Sequence, residues 1–175
     1  AKNRIDIENG TMQGVSAWAG TARVFTTIAG QKATAAVNEN TLHLKNASGK
    51  FSVFYGGDAY AQSALSGAAA EANVLTMEGG TFTTVHDATG GFAYAKGKNA
   101  PVTASASKNT VTLSTTAPWQ EISGGETEAT AVNAAGTATA RENTVNLIRG
   151  TYQNVFGGSA VASGTAATAL AEKNT

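Results

Sequence analysis

One period constrains this chain more than anything else in it. Asparagine recurs at Asn3, Asn40, Asn73, Asn109, Asn143 and Asn174, at intervals of 37, 33, 36, 34 and 31 residues. Each of the first five opens the same phrase: NRIDI, NTLHL, NVLTM, NTVTL and NTVNL. A turn follows, and then a second phrase with bulky residues three apart: Met12 and Val15, Phe51 and Phe54, Phe82 and Val85, Trp119 and Ile122, Tyr152 and Val155. Next come glycines, paired in four copies of five, and an alternating stretch (GDAYA, GFAYA, GETEA, GSAVA). Small residues close the unit, as in TASASKN. A fixed period of this size means stacked supersecondary units, none of which can bury its own apolar face alone.

Alternation at period two runs through the phrases, so they read as strands with Gly, Asn, Ser and Asp at the corners. Positions two and four after each Asn are apolar (Leu42 and Leu44, Leu75 and Met77, Val111 and Leu113) and are expected inside. In the closing strand Ala104 and Ala106 are expected inside and Ser105 outside, the alanines packing against the bulky strands of a thin interior. The recurring Asn fits a corner in left-handed backbone, stacked as a ladder of amides. The glycines fit corners that need positive φ or close backbone approach. The expectation is an all-β, right-handed parallel β-solenoid of about five coils of 31–37 residues, the hand following the preference of parallel crossovers. Its repeats run approximately over 3–39, 40–72, 73–108, 109–142 and 143–173. Length variation falls mainly before the closing strand, Thr21 to Lys32 being the longest connection.

Composition narrows the function. Twelve basic residues balance twelve acidic ones, which gives a nucleic-acid groove or an anionic membrane no electrostatic support. No cysteine is present, so a disulfide scaffold and Cys-ligated zinc are excluded, and the chain suits passage through an oxidising compartment. No apolar run is long enough for a spanning helix, so direct membrane insertion is not expected. The start, AKNRIDIENG, lacks the apolar core of a signal peptide, and the chain reads as part of a longer protein whose export signal lies elsewhere.

Taken together, N-x-V-x-L, a Gly-Gly-Thr turn, an aromatic residue, V-F-G-G, x-A-x-A and Asn again resemble the repeats of Gram-negative autotransporter passenger regions. The fifth copy, NTVNLIRGTYQNVFGGSAVASGTAATALAEKN, is the nearest match. The resemblance covers the whole chain. It implies a β-helical stalk displayed outside the outer membrane and often adhesive, with a host or neighbouring-cell protein or glycan as partner. It carries over no catalytic residue. A self-assembling extracellular filament, joined head to tail through open coil edges, is the alternative, and a glycan-active enzyme a third reading.

Chemistry is sparse. His43 occupies the outward slot filled elsewhere by Asp6 and Thr76, so a solvated surface position is expected. His86 and Asp87 adjoin each other, and neighbouring strand residues usually diverge. Glu121, Glu126 and Glu128 form the densest acidic group without a nearby Lys or Arg, so neither a lyase set nor a hydrolase pair is expected. The Asp-rich calcium nonapeptide is missing, and no helix pattern follows the glycines to receive a phosphate. The expectation is therefore no enzyme, no catalytic or metal site and no cofactor. Trp18, Tyr60 and Tyr94 share one outward slot, held by Glu128 and Val161 in later copies. Stacking would set them in a column, suited to carbohydrate or protein contact, or simply stiffening the sheet.

Overall fold

The computed structural model describes residues 2–27, 31–83 and 85–175. The side chains of Val15, Phe51, Ser52 and Val85, and with them the inward placement expected of three of these, lie outside the described residues. All named elements are strands, arranged in about five turns of a β-solenoid. The first coil holds β1 (Arg4–Glu8), β2 (Thr11–Trp18), β3 (Thr21–Phe25) and β4 (Lys32–Asn38). The second holds β5 (Thr41–Lys45), β6 (Ser48–Gln62) and β7 (Leu65–Glu71), and the third β8 (Val74–Thr81), β9 (Val85–Lys98) and β10 (Val102–Ser107). In the fourth, β11 (Thr110–Val132) runs through two sides before β12 (Gly136–Arg141). The fifth holds β13 (Thr144–Phe156), β14 (Ser159–Ser163) and β15 (Thr168–Glu172).

Pairing is parallel throughout the described residues, between equivalent strands of successive coils. The closing strands stack in the order β15-β12-β10-β7-β4, and the other ten form one continuous sheet. Register follows the repeat: Leu42 lies beside Ile5 and Leu75, and Ala104 beside Ala68 and Ala138. Leu42, Leu44, Leu75, Met77, Val111 and Leu113 are all buried, as are Ala104 and Ala106, while Ser105 faces out. Apolar positions of the end coils are less covered, Ile5 being 38% exposed.

The interior differs from the expected thin sandwich of bulky strands on alanines. It has two compartments. In one, Leu42, Met77, Leu113, Phe54, Phe82 and Trp119 pack together. In the other, the closing alanines face the alanines of the GxAxA strands, Ala59, Ala61, Ala93, Ala95 and Ala129. Alanine meets alanine because two sheets that close can admit nothing longer between them.

Between the compartments runs the asparagine ladder. The backbone N–H and Nδ2 of Asn40 donate to Oδ1 of Asn73, those of Asn73 to Asn109, and those of Asn109 to Asn143, at 2.9–3.1 Å. Each Nδ2 of Asn73, Asn109 and Asn143 donates again to a backbone carbonyl, of Val37, Ala70 and Ala106 respectively, at 3.0 Å. Both amide protons and the carbonyl are thus used, which is why four asparagines can sit at 0–1% exposure.

One corner expectation is corrected and another is narrowed. The ladder asparagines are not the residues in left-handed backbone; the residue before each is. Glu39, Ala72, Lys108, Glu142 and Lys173 have φ of 58, 53, 56, 55 and 52°. Their side chains vary because only the backbone matters there: the N–H of Glu39 reaches the carbonyl of Glu71, and that of Ala72 the carbonyl of Ser107. Of the two roles expected of the glycines, Gly56–Gly57, Gly90–Gly91 and Gly124–Gly125 serve close approach without positive φ, whereas Gly79 and Gly80 have φ of 64 and 76°. A Cβ on Gly57, Gly91 or Gly125 would lie 2.5–2.6 Å from the amide carbon of Asn73, Asn109 or Asn143. On Gly56 and Gly90 it would lie 2.4 Å from the carbonyl oxygen of the equivalent glycine one coil on.

Candidate binding surface at the glycine corner

At each glycine pair the outer surface folds inward on itself. Strand alternation places Tyr55, Thr89 and Ser123 outside on one flank, in register, and Asp58, Phe92 and Glu126 outside on the other. Yet Thr89 is 3%, Ser123 1% and Asp58 5% exposed. Outward residues can be that deeply covered only if the two flanks close over one another, making a concave corner along the solenoid.

Aromatic rings line the early part of this corner. Tyr60 and Tyr94 are register partners with rings 4.7 Å apart and nearly parallel, and Phe25 leans on Tyr60 at 5.1 Å. Trp18 does not join them. Arg23 holds that slot in the first coil, and Trp18 pairs with Tyr55 instead, their rings parallel at 6.3 Å. The two register shifts of β2 against β6, either side of Val15, cancel, and Trp18 stands 15 residues after Asn3 as Tyr55 does after Asn40; only the likeness of Ala17-Trp18-Ala19 to the GxAxA phrase sets it in the other slot. Thr21–Phe25, expected as connection, pairs with Asp58–Gln62 and is the first coil's copy of the GxAxA strand. Across the corner Phe92 meets Tyr55 at 6.1 Å. Trp18, Arg23, Val53, Tyr55, Asp58, Tyr60 and Phe92 line a notch of about 300 Å³.

Sequence reasoning missed Tyr55, Phe92 and Phe25. The first was legible, since it follows the inward Phe54 by one residue. Arg23 Nη2 donates to Asp58 Oδ2 at 2.9 Å, which supplies a partner for a nearly buried carboxylate.

Further along, the corner turns acidic. Glu121 is the register neighbour of Asp87, and Glu126 of Phe92 across the glycines. Burial, helped by the charges of Glu121, Asp87 and Glu128, pushes Glu126 up to about 7. Burial also raises Asp87, against the pull of His86. Tyr55 is pushed up to about 12 by burial and by the surrounding carboxylates, Glu126 first. Burial leads in all three, and neighbouring carboxylates add to it at Glu126 and Tyr55.

The histidines lie elsewhere. His43 faces outward beside Asp6 and Thr76, its Nδ1 at 3.3 Å from Asp6 and its Nε2 at 3.8 Å from Glu78. His86 contacts Gln120 of the next coil at 2.8 Å. Among the described residues no three His, Asp or Glu side chains gather to hold a metal ion.

Fold and surface together define a class, the parallel β-solenoid repeat proteins, with a concave aromatic and acidic corner on the outside. The chain matches no known family profile, no curated protein and no solved structure.

Proposed function

We propose that this chain is a structural and adhesive segment of an exported bacterial surface protein, a rigid stalk whose glycine corner is the binding surface. The observation that supports this most is the division of labour within each repeat. Asparagine, glycine, leucine and alanine recur and face inward, whereas the corner's outward positions change from coil to coil: Arg23, Tyr60, Tyr94, Glu128, Val161. A surface that varies over an interior that repeats is how a solenoid presents one specific patch. Surface display and a host or neighbouring-cell partner rest on the resemblance to passenger repeats.

The test is binding of the purified protein to cultured cells and to protein and glycan arrays, with Trp18→Ser/Tyr55→Ser as comparison. Saturable binding, lost in the variant while the far-UV spectrum is kept, is the expected result. Absence of any binding, or binding indifferent to the change, contradicts the reading.

A further inference from the structure

We propose that the acidic end of the glycine corner is a recognition site for a basic polypeptide segment, its lysine ammonium groups seated among Asp87, Glu121 and Glu126 with Ser123 beneath them. The inference rests on the corner being a binding surface and specifies its partner.

Charge complementarity is the first argument. The groups that face this end are Asp87 and Glu121 on one flank and Glu126 and Glu128 on the other, with Asp58 two coils from Glu126 beyond Phe92. Arg23 is already paired with Asp58, and the pull of His86 on Asp87 is outweighed by burial. Carboxylates gathered with little counter-charge repel one another, and burial amplifies the repulsion. An ammonium group placed between them removes it.

Ser123 is the second and independent argument. Its neighbour Ile122 points into the core at 0% exposure, so Ser123 points to the corner, and it is itself 1% exposed. Its Oγ has no hydrogen-bond partner among the described residues. A buried hydroxyl left unpaired costs about 1–3 kcal/mol, which an ammonium donor entering the corner would offset.

Geometry favours an organic cation over a metal ion. Asp87 lies one coil from Glu121 on the same flank and Glu126 on the opposite flank, and among the described residues no three such groups are set to hold a metal ion. Several charges strung on one flexible chain suit that spacing. Tyr55 and Phe92 stand beside the carboxylates and offer ring faces and edges to alkyl stems, as aromatic walls do for ammonium ligands.

The probe is tetralysine, titrated calorimetrically at low ionic strength into the wild-type protein, Glu121→Gln/Glu126→Gln, Ser123→Ala and Glu8→Gln/Glu78→Gln. The last pair lies on another side and controls for unspecific attraction. Binding to the wild type, weakened at least tenfold by the corner pair and several-fold by Ser123→Ala, with melting temperatures not lowered and the control unaffected, is expected. No heat with tetralysine, equal loss in the control, undiminished affinity in the corner variant, or tighter binding of spermine or calcium than of tetralysine overturns the proposal. If array binding through Trp18 and Tyr55 persists in that event, the basic partner alone is refuted.

Discussion

Asn109 and Gly91 make one device. The asparagine amide fills the space between the two interior compartments, and Gly91 is small so that the amide can lie flat against its backbone. Adding one methyl group shows how tightly they fit. Gly91→Ala would set a Cβ 2.5 Å from Asn109 Cγ and Oδ1, and the amide cannot retreat without breaking bonds to Asn73, Asn143 and the Ala70 carbonyl. The expected cost is about 1–3 kcal/mol, read as a lowered urea midpoint. An unchanged midpoint would mean that the ladder is slack. At Glu126 the relevant change is of charge. A carboxyl raised to about 7 in the folded protein binds a proton there that the unfolded chain has already lost, so stability falls as pH climbs from about 4.5 to 7. The loss is on the order of 2 kcal/mol once residual solvent screening is allowed for. Glu126→Gln should therefore raise the melting temperature at pH 8 and flatten that part of the pH profile; a variant less stable than wild type at pH 8 would show that the carboxylate is favourably paired.

At the scale of the strand, face assignment is what matters. In β10, Ala104 points into the alanine compartment at 2% exposure, while Ser105 is on the outer face. Ala104→Leu adds three carbons where facing strands leave room for none, and overpacking costs about 1–3 kcal/mol. Ser105→Leu meets solvent and should shift stability by less than about 0.5 kcal/mol. Denaturant midpoints decide, and equal effects would mean a slipped register. These faces could be read from sequence because the period-two pattern is unbroken over ASAS. In the first coil a local likeness misleads: Ala17-Trp18-Ala19 imitates the GxAxA phrase, whereas counting from the repeating asparagine sets Trp18 beside Tyr55 and Arg23 beside Tyr60, as the register has them. The compartments were hidden for another reason, since alternation tells which residues point inward but not which inward residues meet.

Across the whole molecule the repeat made the architecture legible: coil number, parallel stacking and most inward positions follow from one recurring asparagine and its phrase. The acidic corner was not legible in the same way. Asp87, Glu121 and Glu126 lie 34 and 39 residues apart from the first to the others, on different coils or flanks, and only register and the concave bend bring them to one place. The left-handed position escaped too, because Glu, Ala and Lys there carry no sequence signature and only their φ marks them. Everything above depends on the ladder running through the centre as a single continuous element, so that the coils unfold together. Native-state hydrogen exchange tests this most directly. The account predicts that the backbone amides of Asn73, Asn109 and Asn143, each held by the next asparagine or by Asn174, are among the slowest in the protein and exchange only with global unfolding. Exchange at these three amides on the timescale of the exposed turns would contradict it.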